Sequence, residues 1–248
     1  MIKLLTNHIQ YLAVKPFISS DVNKLIKGKS VVLVGPADTT TGKGLGSWIE
    51  GHDVVVRVNR GVYLLENPGS EVDIGKRTDI LFHNLTDRHG TFDIDYHERA
   101  NVGCLMTYAR CWPWIRGNIK IAKFAYANWS YCRQRLTLVG PQAYKDVMAY
   151  LRGTKPTAGF MALWVLLHAG CTHVSMTGFS FFRSEYNAGY YANNLSVDDQ
   201  LKRFDRQKSH SPQSEAEAFK RLAKAHTDRL RLDAFLAELA SEDEAPSA

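Results

Sequence analysis

The sequence lacks three features that would narrow its function at once: paired cysteines, a membrane-length apolar run and a strong excess of one charge. Its 248 residues include four cysteines, and no two of them form a C-x-x-C pair, which excludes zinc ribbons and thioredoxin-like redox proteins. We interpret the cysteines as reduced thiols and expect a cytoplasmic protein. The longest uninterrupted apolar stretch, Phe160 to Leu167, is far shorter than the roughly 20 residues that a membrane helix needs.

The composition is that of an ordinary globular protein, because 45% of the residues are apolar and 23% are charged. This excludes a disordered tail protein, a collagen-like fibre and a coiled coil. The formal net charge of +6 indicates an anionic partner, such as a nucleotide, a nucleic acid, an acidic glycan or a membrane surface. Without an evident linker or repeat, we predict one domain over 1–248, with a lead-in over 1–28 and a frayed tail over 241–248.

Short apolar and β-branched runs alternate with helical segments along the chain, which predicts an α/β fold. The predicted strands are 29–35, 53–59, 78–82, 104–108, 136–139 and 172–178. Their continuous apolar character predicts one Rossmann-like domain with a mostly parallel sheet covered by helices on both faces. Ligands bind such sheets at the carboxyl ends of the strands, so we expect a site near Gly35, Asn59 and Gly178. A single helix is predicted from Pro212 to Leu239, with Ser211 as its cap.

The segment from Gly35 to Gly46 has the composition of a phosphate-binding loop but not its spacing. A Walker loop has four residues between its first glycine and a Gly-Lys pair, followed by Ser or Thr. Here six residues intervene, and Gly44 follows Lys43. The segment also does not fit G-x-G-x-x-G. The residues alone leave two interpretations open: a loop whose backbone approaches a phosphate, or a flexible turn.

Two alternative functions rest on other segments. Asp93-Ile94-Asp95 is a D-x-D sequence, which metal-dependent transferases use to hold a divalent cation on a nucleotide diphosphate; an exposed strand shows the same alternation. His83 and His89 could bind a metal, but nothing else in the sequence supports that role. Residues 112–155 carry eight basic side chains, one acidic side chain and several aromatic rings. This pattern suits single-stranded nucleic acid, an acidic or sugar-bearing acceptor, a membrane surface, or a solvated face over an aromatic core.

His210 stands immediately before the predicted helix that begins at Ser211 and Pro212. Backbone amides at a helix start carry partial positive charge, which favours a neutral imidazole, the form that a general base requires. Glu215 follows within the first turn of the same helix. A surface histidine without a catalytic role is the competing interpretation.

Several segments along the chain resemble, in their order, the motifs of the animal-type sialyltransferases, glycosyltransferase family 29. The strand that ends at Gly35, the glycine loop, Arg57-Val58-Asn59 and the segment 72–79 are similar to the large sialylmotif. Segments 155–160 and 174–179 resemble the small sialylmotif. His210 to Glu215 matches the H-x4-E pattern of the last motif, and 190–194 is similar to the aromatic third motif.

The chain departs from the family pattern at specific positions. Pro36 stands where the family has Asn, and Gly189 stands where the third motif has His. The cysteine that opens the large motif is absent, so the family's disulfide to the region of Cys171 cannot form. The anchor and stem of the animal enzymes have no counterpart, as expected for a compact, microbial-style relative.

The resemblance implies a GT-A-like fold and an inverting transfer of sialic acid, or of the smaller sugar acid Kdo, from its CMP donor to a glycan hydroxyl. It implies His210 as the general base and no metal cofactor. The donor-binding residues that it implies are Gly35, Pro36, Ala37, Asn59, Thr157, Ala158, Gly159, Gly178, Tyr190, Tyr191 and Glu215. We expect no nucleic-acid partner, an anionic or lipid-linked acceptor, and peripheral membrane contact through 112–155.

Overall fold

A computed structural model of the chain describes residues 21–85, 94–108, 114–191, 196–207 and 210–242. The strands are β1 Ser30–Val34, β2 Val54–Val58, β3 Ile80–Phe82, β4 Cys104–Tyr108, β5 Leu136–Val139, β6 His173–Thr177 and β7 Leu230–Leu232. The helices are α1 Asn23–Ile26, α2 Gly46–Glu50, α3 Glu71–Ile74, α4 Ile94–Arg99, α5 Trp114–Ala127, α6 Trp129–Arg135, α7 Pro141–Tyr150, α8 Ala158–His168, α9 Val197–Gln207, α10 Pro212–Ala225 and α11 Ala234–Ser241. Two 3₁₀ segments, Asp38–Thr40 and Asn59–Glu66, follow β1 and β2.

The strands of the described residues form one parallel sheet in the order β5-β4-β3-β2-β1-β6-β7. Val34 of β1 lies opposite Arg57 of β2 on one side and Thr177 of β6 on the other. The chain therefore builds outward from β1 to β5 and then crosses to the opposite side of β1. Such a reversal of strand order opens a crevice at the carboxyl ends of the strands. The predicted α/β fold with a parallel sheet is confirmed.

Alternate residues of each strand pack on opposite faces of the sheet, as the pleat requires. Val31 and Leu33 lie in the larger core, which also contains the apolar side chains of α8 and α10. Val32 and Val34 lie in a core on the other face, beside Ile49 of α2. Helices therefore cover both faces. α8 is buried along most of its length, in agreement with its uninterrupted apolar sequence.

The single helix predicted from Pro212 to Leu239 is wrong, because the structure divides this segment into α10, β7 and α11. β7 pairs with β6 at the edge of the sheet. Leu230 is buried, Arg231 is exposed and Leu232 is partly buried, which is the period-two pattern of an edge strand. Asp233 then caps α11, since its Oδ1 accepts the N–H of Leu236 at 2.9 Å. The imperfect helical spacing of the sequence reflects this interruption.

Only parts of the predicted lead-in and tail belong to the described residues. Ile26 of α1 is fully buried, and Ser241 ends α11. Positions 1–20 and 243–248 lie outside the described residues. Of the cysteines in the described residues, Cys104, Cys132 and Cys171 are buried thiols. Within the same residues, no helix is both long and apolar enough to cross a membrane.

Candidate active site

A pocket of about 640 Å³, open to solvent, lies at the carboxyl ends of β1, β2 and β6. It therefore occupies the crevice that the reversal of strand order creates. Segments that are far apart in the sequence line it: Pro36, Ala37, Val58, Asn59, Thr157, Ala158, Gly159, Phe160, Met176, Gly178, Phe179, Ser180, Phe181, Phe182, Tyr186, Tyr190, Gln200 and Glu215. Three of the sequence-predicted site residues, Gly35, Tyr191 and His210, do not belong to this lining.

Gly35 and Gly178 bring the ends of β1 and β6 together beneath the pocket. The N–H of Gly35 donates to the Thr177 carbonyl, and the N–H of Ala37 donates to the Gly178 carbonyl, both at 2.8 Å. A Cβ on Gly35 would lie 2.1 Å from the carbonyl oxygen of Gly178. Gly178 itself has a φ of +71°, which other residues rarely adopt. Gly35 therefore shapes the floor of the site, because it permits a backbone approach that no side chain would allow.

The first turn of α8 forms one side of the pocket. Thr157 caps this helix, because its hydroxyl accepts the N–H of Phe160 at 3.2 Å. Ala158 and Gly159 follow in the first turn, where backbone N–H groups have no acceptor within the helix. The helix dipole adds partial positive charge at the same place. An anionic group in the pocket would therefore find hydrogen-bond donors at this turn.

Glu215 of α10 is 1% exposed and binds the cap of α8. One carboxylate oxygen accepts the backbone N–H of Thr157, and the other accepts the hydroxyl of Thr157 at 2.8 Å. Burial raises the pKa of Glu215 to about 7, although the hydrogen bonds from Thr157 act in the opposite direction. The small and last motifs are therefore joined by a carboxylate whose charge is sensitive to pH near neutrality.

His210 is fixed by the segment that precedes the same cap. Its Nδ1 lies 2.9 Å from the carbonyl oxygen of Lys155. A carbonyl only accepts hydrogen bonds, so Nδ1 carries the proton and, in the neutral ring, Nε2 holds the lone pair. Ser211 caps α10 through the N–H of Ser214 at 3.2 Å, and this fixes the backbone next to the histidine. The ring of His210 is therefore oriented by Lys155, which stands two residues before Thr157 of the pocket lining.

Arg57, from the R-x-N part of the large motif, is buried in the protein and does not belong to the pocket lining. Its guanidinium donates to the carbonyls of Ile74, Gly75 and Arg77 and to the hydroxyl of Thr78. Burial lowers its pKa to about 10. Arg57 therefore holds the segment after α3 against β2.

Asn59, two residues after Arg57, lines the pocket. Its φ of +47° is a conformation that asparagine tolerates better than most residues. Its side-chain oxygen accepts the N–H of Asn84 at 3.2 Å. The R-x-N pattern thus contains one residue with a structural role, Arg57, and one residue of the pocket lining, Asn59.

The glycine loop is closed by Asp73 from α3. The N–H groups of Gly42 and Gly44 donate to the two oxygens of Asp73 at 2.7 and 2.8 Å. These hydrogen bonds, that of Gly44 first, lower the pKa of Asp73. The side chain of Lys43 points into solvent as an exposed residue. The loop therefore binds a carboxylate of the same chain, and this favours a structural turn over a phosphate site for 42–44.

Aromatic side chains form another part of the pocket lining. The rings of Tyr186 and Tyr190 stack at 4.6 Å. Tyr191 packs edge-on against Tyr190 at 4.8 Å, outside the lining. Gly189 has a φ of +86°, and a Cβ there would lie 3.0 Å from the amide oxygen of Asn67. The backbone at this position therefore favours glycine over the histidine of the family motif.

Several lining residues were not predicted from the sequence: Phe179, Ser180, Phe181, Phe182, Tyr186 and Gln200. The first four follow directly after β6, so their position at the end of a predicted strand was a usable signal. Gln200 comes from α9, and no sequence pattern indicates that this helix reaches the pocket.

The D-x-D and histidine candidates gain no support from the described part of the chain. Asp95 lies in α4, whereas Asp93 and His89 lie outside the described residues. His83 is buried, and its Nδ1 accepts the N–H of Leu85 at 2.9 Å. Among the described residues, no three His, Cys, Asp or Glu side chains are placed to hold a metal ion together.

The basic and aromatic stretch contributes partly to the core. Tyr131 is buried, and the guanidinium of Arg135 lies 5.2 Å from the centre of its ring and 3.4 Å from a carboxylate oxygen of Glu98. Tyr126, in contrast, is 63% exposed. Trp112 lies outside the described residues. The stretch therefore combines a solvent-facing side with rings that pack into the protein.

Comparisons with known proteins identify relatives of this fold. A model of glycosyltransferase family 29 (sialyltransferase) matches residues 26–227. No curated protein sequence matches the chain. A mammalian sialyltransferase in complex with Gal-beta-1-3GalNAc-ortho-nitrophenol is similar in structure, with a TM-score of 0.57 and 15% identity over 92% of this chain and 78% of that chain.

Two bacterial structures are also similar. The sialyltransferase CstII from Campylobacter jejuni, solved with the substrate analogue CMP-3FNeuAc, has a TM-score of 0.55 and 16% identity over 85% of this chain and 84% of that chain. The alpha-2,3-sialyltransferase from Campylobacter jejuni in apo form has a TM-score of 0.54 and 15% identity over 90% and 86%. At these identities, the similarities establish a shared fold.

Proposed function

Because the chain belongs to glycosyltransferase family 29, the sialyltransferases, it is a glycosyltransferase, and we propose that it transfers sialic acid from CMP-sialic acid to a glycan hydroxyl. The observation that carries the proposal is the pair of contacts that join the last motif to the first turn of α8: His210 with Lys155, and Glu215 with Thr157. The first contact orients the ring that we take as the base, and the second ties its helix, α10, to the turn of α8 that offers backbone donors to an anion. The similar structures with a CMP-sugar analogue and with an acceptor analogue support this substrate class.

The donor phosphate would bind at the first turn of α8, through the N–H groups of Ala158 and Gly159, while the hydroxyl of Thr157 stays bound to Glu215. Asn59 would contact the phosphate or the ribose. Tyr190 and its stacked neighbour Tyr186 would pack against the cytosine base. These groups stabilise the charge that develops on departing CMP without a metal ion, so activity should persist in EDTA.

In the reaction, the acceptor hydroxyl transfers its proton to Nε2 of His210. The acceptor oxygen forms a bond to the anomeric carbon while the bond from that carbon to the CMP phosphate oxygen breaks. CMP leaves with the electron pair, through an oxocarbenium-like transition state as in other glycosyl transfers. The attack comes from the face opposite the leaving group and inverts the configuration. Base catalysis of this kind typically contributes about 10²–10⁴-fold.

CMP-Kdo shares the CMP group and the 2-keto acid with CMP-sialic acid and is the second donor that we test. The acceptor glycan, anionic or lipid-linked, would approach from the side of His210. Contact with a membrane surface through 112–155 and a cytoplasmic location remain predictions from the sequence.

The first experiment is thermal denaturation with CMP, CDP, UDP with Mn²⁺, ATP with Mg²⁺ and a short oligonucleotide. A ligand at 100 times its dissociation constant adds about 2.7 kcal/mol to the free energy of unfolding, which is a shift of several degrees. A shift with CMP that persists in EDTA supports the proposal, and CMP release from CMP-sialic acid and CMP-Kdo then identifies the donor. A shift with UDP and Mn²⁺ alone would contradict it. A response only to the oligonucleotide would favour a binding module.

A further inference from the structure

One wall of the pocket is a continuous segment, Gly178 to Phe182, which we call the pocket wall. The C-terminal segment 230–242, which contains β7 and α11 and which we call the clasp, contacts Gly178 at one end and Arg183 just beyond the other. The family model ends at residue 227, so the clasp lies beyond the region that the family motifs define.

The first contact is made by Asp233 at the start of the pocket wall. Its Oδ2 accepts the hydroxyl of Thr177 at 2.7 Å and the N–H of Gly178 at 3.3 Å. Its Oδ1 caps α11 through the N–H of Leu236. Thr177 is fully buried. One carboxylate therefore ties the beginning of α11 to the strand end at the floor of the pocket.

The second contact is made by Glu242 just beyond the other end of the pocket wall. Its Oε1 lies 2.6 Å from the Arg183 guanidinium, and its Oε2 lies 3.3 Å from the ammonium of Lys220. Lys220 belongs to α10 and is 2% exposed. The N–H of Arg183 donates to the carbonyl of Ser180 at 3.1 Å. Arg183 thus transmits the contact directly to the pocket wall.

The pocket wall has a backbone conformation that needs such restraint. Phe181 and Phe182 have φ values of +50° and +66°, which are uncommon and unfavourable for bulky residues. The ring of Phe181 packs 4.7 Å from that of Phe219 in α10. Residues in this region keep their conformation only where the surrounding structure holds them. The two carboxylates of the clasp bracket this strained segment.

We propose that the clasp positions the pocket wall for donor binding, with Asp233 and Glu242 as positioning residues. The proposal rests on the proposed function, because it takes the pocket to be the site of the CMP group. Neither carboxylate belongs to the pocket lining. Asp233 acts through the N–H of Gly178, and Glu242 acts through Arg183, whose N–H binds the Ser180 carbonyl. Loss of either contact should let the pocket wall leave the conformation that binds the donor. Donor affinity should therefore fall, whereas the acceptor KM should not change.

The test uses Asp233→Ser and Glu242→Gln in the full chain. Serine caps a helix about as well as aspartate but cannot also reach Thr177, so Asp233→Ser removes the contact and keeps the cap. Glu238→Gln is the matched control, since Glu238 is an exposed residue of the same helix and the change removes the same charge. CMP affinity is measured by calorimetry, and KM and kcat by CMP release, well below the melting temperature of each variant.

We expect the CMP dissociation constant and the donor KM to rise by about 5- to 10-fold in Asp233→Ser and about 3-fold in Glu242→Gln, as for a partial loss of the binding-competent conformer. The acceptor KM should not change, and Glu238→Gln should match the wild type. Hydrogen exchange gives a readout that needs no ligand. The amides of 178–183 should exchange faster in both variants and not in the control.

The outcomes separate the two proposals. Wild-type protein that binds neither CMP nor a CMP-sugar would overturn the proposed function, whatever the exchange data show. Wild-type protein that binds CMP, with variants that bind it equally well or with unchanged exchange in 178–183, would overturn the role of the clasp and leave the function intact. Variants that lose stability alone, with the same CMP affinity when folded, would also overturn it.

Discussion

The glycine loop after β1 and the first turn of α8 both present backbone N–H groups at the carboxyl edge of the sheet, and both meet a carboxylate. Asp73 accepts two glycine amides close to the surface, whereas Glu215 accepts the amide and the hydroxyl of Thr157 inside the protein. The hydrogen bonds from Gly44 and Gly42 lower the pKa of Asp73. Burial raises that of Glu215 to about 7.

The difference shows what a glycine-rich segment can and cannot indicate. Glycine lets a backbone approach an anion closely. Whether its N–H groups bind a ligand or a carboxylate of the same chain depends on the segment that packs beside them. In the glycine loop that anion is Asp73. At α8 the carboxylate binds only Thr157, so Ala158 and Gly159 line the pocket with first-turn amides that have no acceptor within the helix. Four predictions sharpen this contrast, in order of decreasing effect.

The largest effect should come from the proposed base on the α8 side of the pocket. His210→Ala should lower kcat by about 10²–10⁴-fold, or about 3–5 kcal/mol of barrier, without a change in CMP affinity. Initial rates of CMP release and calorimetry with CMP measure the two quantities. His226→Ala, at the far end of α10, is the control and should retain full activity. A His210→Ala enzyme with normal kcat would remove the histidine from the mechanism.

The second prediction separates the two carboxylates by their pH dependence. The pKa of Glu215 rises from an ordinary 4.5 to about 7 on folding, so the folded chain binds more protons between these values. Its contribution to the free energy of unfolding is complete below pH 4.5 and is lost as the pH rises through 7, by about 3 kcal/mol in total. Glu215→Gln should remove this slope in urea denaturation between pH 5 and pH 8.

Asp73→Asn is the matched control for that measurement. Because the folded pKa of Asp73 is lowered, its contribution is present above its unfolded pKa of 3.8 and is lost only in more acidic solution. Its removal should therefore leave the slope between pH 5 and pH 8 as in the wild type. An identical slope in Glu215→Gln and wild type would contradict the assignment of a neutral-range pKa to Glu215.

The third prediction concerns the stability of the glycine loop. Asp73→Ala removes the acceptors of Gly42 and Gly44 and should lower the free energy of unfolding by about 1–2 kcal/mol. Donor affinity should change much less, because these amides do not line the pocket. Urea denaturation and CMP calorimetry at pH 7 measure both. A loss of CMP binding at unchanged stability would mean that the loop takes part in phosphate binding.

The smallest effect should come from Lys43, the lysine of the apparent phosphate loop. Its side chain is exposed, so Lys43→Ala should change the free energy of unfolding by no more than about 0.5 kcal/mol and leave the donor KM unchanged. The same assay distinguishes it from a phosphate-binding lysine. A clear rise in the donor KM would show that this loop contacts the donor.

Most of the sheet could be predicted from the sequence, because its central strands are continuous β-branched runs that end in glycine or asparagine. β7 could not be predicted, because it has three residues and lies between two helices. The helical spacing of apolar residues on either side continues across it in the sequence. The strand is recognisable only through its pairing with β6. Pairing between distant segments is a tertiary effect that a local pattern does not contain.

The candidate site shows the same limit. Thr157 and Glu215 could be found because their motifs carry them in the sequence. Their motifs do not reveal that the two side chains bind each other. The large motif likewise does not reveal that Arg57 donates its hydrogen bonds to backbone carbonyls outside the pocket. Phe181 and Phe182 were missed because their role depends on a backbone turn, and Gln200 because it depends on where α9 packs.

The position of β6 beside β1 also has a consequence for biosynthesis. Ser30 pairs with His173, so one edge of the first strand has no partner until most of the chain has left the ribosome. The five strands from β1 to β5 can associate earlier, through contacts with nearer neighbours. Long-range parallel pairing slows folding, and an unpaired apolar edge promotes aggregation. The nascent chain should therefore be prone to aggregation until β6 is synthesised, and the pocket can be completed only after Glu215 of α10 has also emerged.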